Sequence, residues 1–177
     1  MRLHNRNAEL YGTKQVAEIL GIPEWRVKNF TEGEAYRLPP AHRVGSGRGS
    51  RRLYDWSDIF RIGLAEQLVK AGFTAEAVGQ AVREVPESTL APYGATLRAG
   101  SPYKAENLKP KDTPILQRTR SVWRVVMAPE AQTEFRKMAR HGQSSAGVFA
   151  INLATVCDAI FRNLERFWAG DPHPKGQ

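Results

Sequence analysis

Glu24, Trp25, Arg26, Lys28 and Asn29 surround two apolar positions, Val27 and Phe30. If the stretch is helical and those two turn inward, the other five side chains lie nearer the outside. Such a face suits a duplex groove. Arg26 can give paired hydrogen bonds to a guanine edge, Asn29 can pair with adenine or hold phosphate, and Lys28 suits phosphate. A competing reading packs Trp25 on a neighbouring helix and leaves one or two of the others to touch bases.

A second basic group follows at Arg43, Arg48, Arg51 and Arg52, interleaved with Gly45, Gly47 and Gly49. Glycines let a loop come close to a phosphate backbone or a minor groove, where Arg48 and Arg51 are expected to reach. Gly45-Ser46-Gly47-Arg48-Gly49 also raises a nucleotide-cradling loop. It lacks the Lys-Ser/Thr that such a loop needs, and no strand pattern precedes it.

Other chemistry finds little support. No Ser/His/Asp or Cys/His arrangement, paired carboxylates or nucleotide fingerprint stands out, so an enzyme is not expected. His4, His42, His141 and His173 are scattered, and neither a metal site nor a cofactor is expected. The single cysteine, Cys157, cannot close an internal disulfide and reads as a small buried hydrophobe of a reducing compartment. With 26 Lys plus Arg against 18 Asp plus Glu, the formal charge is +8, and both ends of the chain are basic around a slightly acidic middle. That balance favours polyanions, nucleic acid ahead of a membrane surface. The longest apolar stretch, Gly147 to Phe161, is interrupted by Asn152 and Asp158 and is too short for a span; the expected location is the cytoplasm, at the nucleoid.

The elements that must hold these residues follow from periodicity and breakers. Thr13 reads as the N-cap of a helix over Lys14 to Leu20, stopped by Gly21; Pro23 opens a second helix over Glu24 to about Phe30. Helix, glycine turn and helix make the sequence form of a helix-turn-helix. Thr31 to Arg52 reads as a loop. Asp55 with Asp58 forms a capping-box pattern for a helix carrying Ile59, Ile62, Leu64 and Leu68, closed by Gly72. Thr74 caps a shorter one with Val78, Val82 and Val85 inward, stopped by Pro86.

Tyr11-Gly12-Thr13-Lys14-Gln15-Val16-Ala17 with Gly21-Ile22-Pro23, Trp25-Arg26-Val27-Lys28-Asn29-Phe30, Arg52-Leu53-Tyr54, and Leu68-Val69-Lys70-Ala71-Gly72-Phe73-Thr74 resemble the DNA-binding domain of the MerR family of transcriptional regulators. The resemblance covers residues 11 to about 86. It implies a winged helix-turn-helix, a homodimer on a two-fold operator, and double-stranded DNA with RNA polymerase as partners. Together with the basic loop it points to DNA contacts from Thr13, Lys14, Trp25, Arg26, Lys28, Asn29, Arg43, Arg48, Arg51, Arg52 and Tyr54; Arg52 and Tyr54 read equally as structural, anchoring the wing to the helix that Asp55 opens. Asn29 stands where the family often carries an aromatic residue, and no long dimerisation helix directly follows.

Residues 87 to 120 hold Pro92, Pro102, Pro110 and Pro114 and read as a linker with room for a turn or two of helix. Beyond it, Val122 to Met127 alternates as a strand with Trp123, Val125 and Met127 on one face. Pro129 to about Arg140 reads as a helix with Ala131, Phe135 and Met138 at helical spacing. Val148 to Leu153 reads as a strand and Ala154 to Trp168 as a helix, before a frayed tail at 171–177. On that last helix Val156, Ile160, Phe161, Leu164 and Phe167 form a stripe broader than one hairpin covers, which is expected to make the dimer contact; the alternative is a self-contained two-layer unit.

The fold expected is therefore α+β and mostly helical: a winged helix-turn-helix domain over residues 1–86, the linker, and a strand-helix-strand-helix unit over 121–170 that dimerises or senses a ligand. The function expected is sequence-specific control of transcription. Two other readings stand beside it: an excisionase-like or phage-packaging DNA-binding factor, and a protein-interaction adaptor whose basic surface meets an acidic partner.

Overall fold

The computed structural model describes residues 10–36, 38, 42–44, 51–98, 109–119, 122–140 and 148–170. They form a mostly helical α+β structure with two three-stranded antiparallel sheets.

The chain enters through β1 (Tyr11–Gly12) and turns at once into α1 (Thr13–Leu20). The cap sits one residue earlier than the side-chain pattern suggests. Gly12 is the N-cap, Thr13 is already helical, and Gln15 Oε1 accepts the Gly12 N–H at 2.8 Å. Gly21, at φ 65°, ends α1 with Gly21 N to Glu18 O at 3.3 Å and Ile22 N to Ala17 O at 3.0 Å. Those two bonds satisfy carbonyls that the helix end would leave open, and the left-handed φ is one that glycine adopts without strain. Pro23 then precedes α2 (Glu24–Glu32), whose Val27 and Phe30 are fully buried as the spacing predicts.

Two short strands not expected from sequence follow, β2 (His42–Val44) and β3 (Arg51–Tyr54), on either side of the glycine segment, which lies outside the described residues. The first sheet has the order β1-β3-β2. Asp55 caps α3 (Trp56–Lys70) as expected: its Oδ1 accepts Asp58 N at 2.9 Å, and its own N–H donates to Asp58 Oδ2 at 3.0 Å. Thr74 caps α4 (Ala75–Arg83), and Val78, Val82 and Val85 are buried.

The expected linker is where the structure differs most. Its first part is a helix, α5 (Glu87–Arg98), which packs on α3 through buried Leu90 and Tyr93 and keeps Pro92 on its exposed side. Glu87 ties it down, accepting from Ser57 Oγ at 2.6 Å and from Arg61 at 2.8 Å. Its last part is β4 (Pro114–Thr119), the central strand of the second sheet. Pro114 lacks a donor but stands at the first strand position, where proline is tolerated. Reading the prolines as breaks shortened the helix to a turn or two and hid the strand.

Around β4 pair β5 (Val122–Met127) and β6 (Val148–Asn152), in the order β5-β4-β6, with α6 (Ala128–Arg140) and α7 (Leu153–Ala169) following their strands. Leu153, expected at the end of the strand, opens α7 instead. Asn152 caps it, its Oδ1 accepting Ala154 N at 2.9 Å and Thr155 N at 3.3 Å. One face of the sheet carries Leu116, Trp123 and Phe149 toward the first part of the chain, where Phe73 meets Trp123 at 5.2 Å and Phe149 at 4.7 Å between ring centroids. On the other face the buried Gln117 donates to Glu134 of α6 at 3.0 Å, and Arg124 pairs with the same carboxylate. Met127, on the Trp123 face at the end of β5, and Phe135 on α6 are exposed.

The α7 stripe also departs from expectation. Val156, Ile160, Phe161, Leu164 and Phe167 are all buried within a single chain, against α1, α3 and β4. Phe161 lies 4.8 Å from the Trp56 ring and Phe167 lies 6.4 Å from Tyr11. At Gly63 the helices come so close that an added Cβ would stand 2.7 Å from Ile160 Cδ1. The stripe is broad because two helices and a strand of the same chain cover it, so it is not a dimer surface. One apolar cluster runs from Tyr11 to Phe167 through both halves of the chain.

Candidate nucleic-acid interface

The residues singled out by sequence divide into three groups. The first stays on the surface. Burying Val27 and Phe30 fixes the rotation of α2, and at helical spacing this turns Trp25, Lys28 and Asn29 away from the core. Lys28 and Asn29 are exposed, and Trp25 is 62% exposed, which removes the reading that packs it on a neighbouring helix. Lys14 is exposed on the first turn of α1, next to a half-buried Thr13.

The second group is engaged internally. Arg26 sits on the flank of α2 that faces α3, where its Nε donates to Glu66 Oε2 at 3.0 Å. Its guanidinium lies 5.3 Å from the Phe30 ring and 5.7 Å from the Trp25 ring. Lys70 approaches the same carboxylate at 3.7 Å. Arg52 pairs with Glu32 at the end of α2 and so ties β3 to that helix. Tyr54, expected at the DNA, is fully buried, and its hydroxyl stands 3.5 Å from Thr31 Oγ1. Its partner across the β1–β3 ladder is Tyr11. A ring closed into the core cannot reach a phosphate, so Tyr54 anchors the first sheet against α2.

The third group belongs to the hairpin. Arg43 stands in β2 directly opposite Arg52, and Arg51 opens β3 opposite Val44. Arg48 lies outside the described residues. Arg52 itself is held by Glu32. Antiparallel β2 and β3 therefore bring the two ends of the glycine segment together beside α2.

Sequence reasoning did not find Glu66 or Glu32. Each needs a partner on another element, and spacing along one helix carries no such information. Among the described residues no group of three or more His, Cys, Asp or Glu could hold a metal ion. Cys157 is buried on α7; burial, followed by the neighbouring Asp158 charge, pushes its thiol well above the ordinary range. A thiol so placed stays protonated and makes a poor nucleophile. No described helix is long and apolar enough to cross a membrane. A scan against protein-family models and a search of the curated proteins both find no match.

Proposed function

We propose that the chain is a sequence-specific double-stranded DNA-binding protein that regulates transcription, reading the major groove with α2 and holding phosphate with the β2–β3 hairpin as a wing. The observation that carries this reading is the outer face of α2. Trp25, Lys28 and Asn29 are left uncovered on a helix whose inner face is fixed and whose far end is tied to β3 by the Arg52–Glu32 pair. A surplus of eight positive charges adds a general attraction for a polyanion. The resemblance of residues 11 to 86 to the MerR family supports the same reading.

Within it, the roles shift from those read off the sequence. Lys28 and Lys14 are exposed and are assigned to phosphate, and Asn29 is the amide for a base edge. Arg26 has its Nε on Glu66, which leaves its terminal nitrogens for a guanine or a phosphate. A homodimer on a two-fold operator remains part of the proposal, through a surface other than the α7 stripe.

The test is selection of bound duplexes from random DNA by the full chain at moderate salt. Enrichment of a discrete motif, with RNA polymerase occupancy shifting at a promoter carrying it, is the expected result. A motif without any effect on polymerase would favour the excisionase or packaging role. No motif, together with weak binding that ignores sequence, would sink the DNA-reading proposal and leave the adaptor.

A further inference from the structure

Trp25 is the feature of the surface that a purely electrostatic account leaves over. It is 62% exposed, whereas Trp56 and Trp123 are buried at 9% and 4% and Trp168 is half-buried. Three and four residues along α2 from it lie Lys28 and Asn29, so a flat apolar surface sits between a cation and an amide on one outward face. The Arg26 guanidinium, held on the other side by Glu66, lies 5.7 Å from its ring. A single exposed apolar side chain needs no explanation on an arbitrary surface. Here its neighbours are the very groups assigned to phosphate and base edges.

We infer that Trp25 is a specificity-determining residue that reads thymine by packing its indole against the 5-methyl group on the floor of the major groove. The inference rests on the proposed duplex reading and sharpens it. The thymine methyl is the apolar feature that the major groove displays. Phosphates flanking such a methyl are within the province of Lys28 and Lys14, whose charges draw the apolar ring toward a polyanion that it would not approach by itself. Stacking on an unpaired base would need a single strand, and packing on an acidic protein would need no thymine. Both become outcomes of the test.

The experiment takes the duplex motif recovered by the full chain and replaces its thymines by uracil, one position at a time. Removing a buried methyl should weaken binding by roughly fourfold. Wild type is expected to show that loss at one position per bound copy. Trp25→Ala should bind the thymine duplex more weakly and no longer distinguish thymine from uracil there, while circular dichroism reports an unchanged fold. Trp25→Phe, which keeps an aromatic face, should retain part of the discrimination. Equal discrimination by wild type and Trp25→Ala would overturn the inference while leaving DNA binding intact, as would indifference to uracil at every position. Tighter binding of the single strand than of the duplex would overturn it in favour of stacking. Failure of wild type to bind any duplex would overturn the proposed function itself, and the inference with it.

Discussion

Two helices, α2 and α7, bury apolar faces of very different width. On α2 the pattern is narrow, with Val27 and Phe30 buried and Trp25, Lys28 and Asn29 left outside. On α7 it is broad, and all five residues expected at a dimer contact are covered by α1, α3 and β4 of the same chain. The width of an apolar stripe thus measures how many neighbours a helix has and does not say which chain supplies them. Of the two helices, α2 is the one that leaves a large apolar residue, Trp25, uncovered.

Ending the chain at Glu87 gives the sharpest contrast. It removes α7 and the second sheet from a cluster that runs unbroken from Tyr11 to Phe167. Domains of this size are stable by only about 5–15 kcal/mol, so the shortened chain should lose its cooperative unfolding transition in urea. A sharp transition in the truncated chain would show the first half to be independent and would undo the comparison. Within the full chain, Leu164→Ala empties a fully buried position on α7 and should cost about 2–5 kcal/mol in denaturant unfolding. Dissociation of a dimer without loss of stability would instead return the stripe to an interface.

Gly79→Ala tests a backbone contact in the first half. An added Cβ there would stand 2.5 Å from the Tyr36 carbonyl oxygen, which a main chain cannot easily yield, and about 1–3 kcal/mol of stability should be lost. On the exposed face the expectation reverses. Lys28→Ala should leave stability within roughly 0.5 kcal/mol of wild type, and should lower the dependence of log affinity on log salt by about one. A large fall in melting temperature would mean that α2 is covered by something other than DNA. The smallest effect belongs to Tyr54→Phe. Its hydroxyl stands 3.5 Å from Thr31 Oγ1, so the loss should be no more than about 1 kcal/mol, with salt dependence unchanged. A changed salt slope would put Tyr54 back at the phosphate.

Much of the local structure was legible because its causes are local. The Asp55–Asp58 capping box, the left-handed Gly21, the Thr74 cap and the inward Val27 and Phe30 depend on residues a few positions apart. β4 was not legible, because Pro114 imitates a linker and the strand is held by partners on both sides of it. The hairpin strands β2 and β3 are only three and four residues long, too short for a period of two to show.

At the candidate interface, sequence identified the exposed Trp25, Lys28 and Asn29 but left Tyr54 open between the phosphate and the core, and had no means of finding Glu66 or Glu32. An aromatic next to basic residues looks the same whether it faces solvent or core, and ion pairs between elements leave no mark in spacing. By itself the sequence determined a chain with an excess of positive charge, several capped helices and one helix with a chemically capable outer face. The tertiary structure alone decided which cations are already held by carboxylates, that the α7 stripe is closed within the chain, and that the expected linker supplies the central strand of a sheet. The reason is physical: caps and periodicities are set by neighbours in sequence, whereas burial and ion pairing are set by neighbours in space.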